Sequence, residues 1–315
     1  MNGPQAQARW WTAAELEQRI VRYADLRPCH NAFIDTRSPG SEAKENFTII
    51  GPGVSENPEQ FVHIAEPHGF NIGGARQPPG CVNSQHSHNT AEVFVAHSGS
   101  WRFDLGEHGE DAQVVIGPGD VISLPVKTFR GFTNIGEDSG FLFAILGKDD
   151  PGRVLWAPAV FDMAEEYGLV LLESGRLIDT VAGQEVPANA CPMPVTSPSQ
   201  VTELTRISQD AADRLVWRAD SHFESPTTAV IGNGGPLDGP HGFAVERLDL
   251  AAGGEHEVMV GESPDVLFVH LGDLAIRWPG GATTLGAGDT ISIPPGPDWA
   301  LASDSGCVVY RVSRD

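Results

Sequence analysis

The sequence predicts a mostly β protein made of two similar small barrels, joined by a partly helical connector and preceded by an N-terminal helical arm. Three observations point there. Thirty-six glycines and 24 prolines cut the 315 residues into short segments, because these residues punctuate strands with turns. Short apolar runs recur about eight to twelve residues apart, the spacing of sandwiches and barrels. The chain also repeats itself: Pro67-His68-Gly69-Phe70 returns 173 residues later as Pro240-His241-Gly242-Phe243, and Gly80 and Gly99 map to Gly253 and Gly272 at the same offset. Past a shorter turn, Gly119-Asp120 maps to Gly288-Asp289 and Pro125 to Pro294, now 169 residues apart. Repetition on this scale is a duplicated domain.

Taken in order, residues 1–59 form an arm too short and too interrupted to bury a core alone. Within it, Thr12 and Glu15 make a capping box and Leu16, Ile20 and Val21 lie at helical spacing, so a helix is predicted over 12–24. Asn46–Gly51 reads as a strand that packs on a barrel. Residues 60–150 carry the first barrel, broken by Pro78-Pro79-Gly80, Gly117-Pro118-Gly119 and Ile135-Gly136. Phe141–Leu146 is apolar throughout, which fits a strand buried on both faces. Residues 151–225 lose this rhythm. Pro158–Gly168 reads as a short helix closed by Gly168 and Gln209–Leu215 as another, so this stretch is the connector. Residues 226–315 are the second barrel.

The formal charge of −22 argues against nucleic acid and anionic membrane surfaces, both of which require a basic footprint. Cys29, Cys81, Cys191 and Cys307 are scattered with no CxxC pair, so neither a zinc knuckle nor a disulfide framework is indicated. The opening residues lack a basic segment leading into an apolar run, and no later run is long enough to span a bilayer. The expected form is cytoplasmic.

Chemistry concentrates in Gly80–Gly99. His86 and His88 are two apart, so on a strand both imidazoles share a face, roughly 6.6 Å apart along the chain. Glu92 opens a second apolar run whose alternation sets Glu92, Phe94 and Ala96 on one face. If that run folds back beside the first, two imidazoles and one carboxylate converge, a set that suits a divalent transition metal and is typical of non-haem iron(II) sites. An isolated HxH is weak by itself.

A second block adds weight to it. The first stretch resembles the first cupin motif at each of its fixed positions: glycine, HxH, glutamate, glycine. Gly119, Pro125 and Asn134 resemble the second cupin motif. Two positions depart from it, with Lys127 where the family has glycine and Arg130 where the family has its fourth metal ligand, a histidine. The resemblance therefore implies a bicupin, two double-stranded β-helix (jelly-roll) barrels, with His86, His88 and Glu92 as ligands and no fourth. In the second copy His86, His88, Glu92 and Arg130 become Met259, Gly261, Asp265 and Trp299. One carboxylate without an imidazole will not hold such a metal tightly, so Asp265 is expected to be structural, as are His256 and His270.

Arg130 is expected to point inward beside the triad, where a buried guanidinium must be paired. Three arrangements are open: a bidentate pair with Glu92 and no metal, a carboxylate or phosphate of the substrate, or an outward swing with water in its place. The second makes most use of the residues, with Arg130 orienting a small anionic substrate and Phe94, Ala96 and Phe132 forming an apolar wall. Resemblance to two-domain cupin dioxygenases, such as quercetinases and ring-cleaving aromatic acid dioxygenases, implies iron(II) and O2 chemistry, although cupin sites also accept manganese, nickel, zinc and copper. The same triad serves a metal-dependent lyase, isomerase or decarboxylase as a Lewis acid, and a metal-free binding or structural bicupin is the remaining class. The expected partners are a small-molecule substrate and a second copy of the chain in a homodimer.

Overall fold

A computed structural model describes residues 10–220, 225–232, 234–296 and 298–315. Strand dominates, and the chain divides into two compact units. One takes Arg27 onward through the connector together with Val230–Phe243, and the other takes the arm as far as Leu26 together with residues 225–229 and Ala244–Asp315.

In the first unit a seven-stranded sheet runs in the order Val216–Trp217, Val121–Leu124, Glu92–Ser98, Gly140–Gly147, Phe70–Gln77, Glu45–Ile50, Val62–Ile64. A five-stranded sheet runs Leu155–Trp156, Val82–Ser87, Arg130–Asn134, Trp101–Leu105, Ala112–Ile116. Their apolar faces form one core around Phe94, Trp101, Phe103, Phe132 and Leu142. Gly140–Gly147 is buried along its whole length, as its unbroken apolar run requires, because it pairs with Phe70–Gln77 on one side and Glu92–Ser98 on the other. Glu45–Ile50, predicted to pack on a barrel, is a strand of the barrel sheet itself, hydrogen-bonded to Phe70–Gln77.

The second unit has a six-stranded sheet, Ile20–Val21, Thr290–Ile293, Asp265–Gly272, Cys307–Arg314, Phe243–Leu250, Thr227–Ile231, and a four-stranded one, Gly254–Val258, Trp299–Ser303, Leu274–Trp278, Gly281–Leu285. Its core is filled by large side chains, with Trp299 fully buried and its ring 5.5 Å from that of Trp278.

The arm corrects the predicted helix over 12–24. The capping box of Thr12 and Glu15 is present, but the helix covers only Ala13–Glu17. The β-branched Ile20 and Val21 pair instead with Ile291 and Thr290 as an edge strand, where β-branched side chains fit better than on a short helix. Leu16 is buried in the second unit's core. In the connector, helices form at Pro158–Glu166 and Gln209–Ala212, and Gly168 takes the left-handed φ of +74° that ends the first. Among the described residues no helix is long and apolar enough to cross a membrane.

Candidate metal centre

Three elements build the site. His86 lies on Val82–Ser87, which pairs antiparallel with Arg130–Asn134, and His86 stands opposite Arg130. Glu92 opens the neighbouring strand and pairs with Leu124 and Leu146. His88 follows its strand directly, and its carbonyl accepts from the Lys127 amide at 3.0 Å. Lys127, at the family's glycine position, keeps a left-handed φ of 56°.

The structure brings His86, His88 and Glu92 together: one ligand atom from each lies within 4.8 Å of the others, and all three side chains are buried. Among the described residues no other group of histidines, cysteines and carboxylates of that size does so. His86 Nδ1 is 2.7 Å from the Ser84 carbonyl, which can only accept, so Nδ1 carries the proton and Nε2 keeps its lone pair. His88 Nε2 is 3.6 Å from Glu92 Oε1, and its buried Nδ1 has no hydrogen-bond partner. Burial first, and the Arg130 charge second, lower the His86 pKa to about 4 and hold that of His88 well below its ordinary value. Both rings are therefore neutral donors, the form a metal needs. These residues fit a divalent ion.

Of the three arrangements open to Arg130, the structure shows Glu92 as its partner. Nε and Nη2 donate to Glu92 Oε2 at 3.0 and 2.8 Å, and Nη1 donates to the Thr128 carbonyl at 2.9 Å. The guanidinium is fully buried, so it does not swing outward. It also does not line the cavity at the triad, which corrects the expectation that it orients a substrate from there. The pair uses one carboxylate oxygen and leaves Oε1 facing His88, so a ligand atom remains for a metal. Arg130 is thus a positioning residue that fixes which oxygen of Glu92 faces the imidazoles.

A cavity of about 70 Å³ opens beside the triad, with Phe94 and Phe132 in its wall, their rings 5.4 Å apart. Ala96, expected in that wall, is instead fully buried in the core with Trp101 and Phe103 and does not reach the cavity.

Several lining residues escape the sequence reading. Asn83 has the wrong parity for the His86 face, but a β-bulge in Val82–Ser87 sets Asn83 opposite Phe132 and His86 opposite Arg130, so both face in. Gly131 is the available signal for it: a Cβ there would meet the Asn83 carbonyl at 2.7 Å. Asn46 and Thr48, two apart on Glu45–Ile50, and Gln60 also line the cavity. Asn46 and Thr48 sit in the segment assigned to a packing arm, and Gln60 is the first residue of the predicted barrel.

Trp156 pairs with His86 through the backbone and lays its ring 5.4 Å from the imidazole. Its Nε1 donates to Glu56 Oε1 at 2.6 Å, and the Ile34 amide donates to Oε2 at 2.7 Å. Burial raises Glu56 from its ordinary 4.5 to about 8, against the two donors. The folded state then holds a proton that the unfolded state releases, so stability is greatest below about pH 4.5 for this group and declines as pH rises towards 8. Urea unfolding across that window should show the decline, and Glu56→Gln should flatten it; an unchanged slope in the variant would show that another group titrates.

The second copy lacks the chemistry. Asp265 is buried and paired with Arg311 at 2.6 Å, Met259 is exposed, and Trp299 fills the core at the position of Arg130. Asp265→Asn is therefore expected to lower stability by weakening that pair while leaving metal content unchanged; a loss of metal would give the second barrel a role in the centre.

The fold is that of the two-domain cupins, two jelly-roll barrels, with the His86, His88 and Glu92 cluster in the first. No protein-family profile matches the chain. Germin-like protein subfamily 1 member 4 of Arabidopsis thaliana is 27% identical over 121 residues, 36% of this chain and 54% of that protein, so the match spans about half the length of that relative. Oxalate decarboxylase of Bacillus subtilis, studied for its Mn(II) centres, superposes with a TM-score of 0.55 at 12% identity, covering 94% of this chain and 77% of that one. Lactobacillus farciminis oxalate decarboxylase in its formate complex gives 0.55 at 11%, covering 94% and 86%.

Proposed function

We propose that the protein is a metal-dependent enzyme of the lyase, isomerase or decarboxylase type, with one divalent metal held by His86, His88 and Glu92. The observation that carries this is the convergence of two neutral imidazoles and one carboxylate oxygen beside a small, largely apolar cavity. When bound, the metal would polarise a carbonyl or carboxylate oxygen of the substrate as a Lewis acid. The chain's own residues then have distinct tasks. Arg130 holds Glu92 in one orientation, Trp156 braces the His86 ring, and Phe94 and Phe132 keep water from one side of the pocket. The Mn(II) centres of the Bacillus enzyme support manganese over the iron(II) expected from the sequence, and two imidazoles with one carboxylate suit either ion.

The dioxygenase expected from the sequence uses the same triad, and oxygen dependence separates the two. Manganese-loaded protein should turn over small keto and hydroxy acids at the same rate in air and under nitrogen, with no oxygen uptake. Oxygen uptake in step with turnover would overturn the lyase-type reading and restore the dioxygenase.

A further inference from the structure

The cavity beside the triad contains hydrogen-bonding groups that have no partner among the described residues. Asn46 is 7% exposed, lines the cavity, and its Nδ2 has no partner. Gln60 also lines it; one end of its amide bonds Thr48 Oγ1 at 2.6 Å, and its buried Oε1 is unpartnered. Asn83 is held the other way round: its Oδ1 accepts from Lys44 Nζ at 3.1 Å, and an ammonium can only donate, so the Asn83 Nδ2 is the end left over. Buried polar groups left without partners are costly in a folded protein; Asn46 and Gln60 each carry one, and with Asn83 lining the same small cavity from a third segment they make a built recognition surface.

The surface is uncharged. Whichever way the Asn46 and Gln60 amides are turned, each presents a neutral donor or acceptor. Among the described residues no lysine or arginine lines the cavity. Arg130 is committed to Glu92 and Thr128, and Lys44 is fully buried in an ion pair with Asp35. A second anionic group on a substrate would therefore enter a buried site with no counter-charge beyond the metal, which is strongly unfavourable.

We propose that Asn46, Gln60 and Asn83 are the specificity-determining residues of this site, and that they recognise an uncharged group that both accepts and donates hydrogen bonds, a carboxamide or hydroxycarbonyl, on the part of the substrate the metal does not hold. The substrate then carries at most one negative charge. This rests on the metal-enzyme reading above.

The test compares succinamate with succinate, equal in size and differing in one carboxamide for one carboxylate, by calorimetry on zinc-loaded protein whose metal content is measured first. Succinamate should bind about tenfold or more tighter. Asn46→Leu and Gln60→Leu should each weaken succinamate about tenfold and leave succinate nearly unchanged. Gln60→Lys, which places a cation in the pocket at a half-buried position that tolerates it, should reverse the preference. Succinate binding as tightly as succinamate, no binding of succinamate, or a preference that survives both leucine variants would overturn the inference while the metal reading stands. Protein that takes up no zinc would overturn the metal reading itself, and with it this inference.

Discussion

Replacing His86 and His88 together by alanine should abolish metal uptake. Native protein, purified without an affinity tag or chelator, is expected to carry about one divalent ion per chain, and the double variant less than about a tenth of that, because the carboxylate left behind is a single hard ligand already half engaged by Arg130. Elemental analysis reads this directly. The variant should fold, since both imidazoles are neutral and neither donates to another side chain; His86 gives only a bond to the Ser84 carbonyl. A native protein that refuses manganese, iron and zinc would mean that the Arg130–Glu92 pair has replaced the metal instead of accompanying it.

Arg130→Met should be the most destabilising single change at the site. The guanidinium is fully buried and makes three hydrogen bonds, two of them to the buried Glu92 carboxylate. Removing one partner of such a pair leaves an uncompensated charge, at a cost of about 3–5 kcal/mol. Urea unfolding of metal-free protein should show the full loss. Added manganese should restore part of it, because a cation at the triad gives Glu92 a second counter-charge. A metal-free variant as stable as native protein would mean that the Arg130–Glu92 pair adds no net stability to the fold. Because Arg130 does not line the cavity, its replacement should raise the Michaelis constant equally for a carboxylate substrate and for its amide; a selective loss of the carboxylate would return Arg130 to substrate binding.

The physics behind these two expectations also explains why Arg130 could not be settled from sequence. A guanidinium at a ligand position is compatible with pairing, substrate binding or exposure, and the choice depends on where its donors end. The register that sets Arg130 opposite His86, with Glu92 on the adjoining sheet, answers that. It also leaves room for a metal beside the pair, because one Glu92 oxygen faces Arg130 and the other faces His88.

What the sequence determined by itself is local or repetitive. Turn residues at regular spacing, the fully apolar Phe141–Leu146 and the duplicated Pro-His-Gly-Phe segment specify a mostly β chain with two like halves, because strand burial and turn geometry are read from near neighbours. The spacing of His86, His88 and Glu92 marked the three as a candidate cluster for the same reason, and the folding back of the second run brought them together. The tertiary structure alone decided what depends on distant pairing: the end of the first helix at Glu17, where Ile20 and Val21 find an edge strand almost the whole chain away; the bulge that turns Asn83 inward against simple alternation; and the use of Asn46, Thr48 and Gln60 as cavity wall. Those side chains are ordinary polar residues in sequence. Only long-range strand register, fixed by burial of the opposite faces, gives them a common cavity to face.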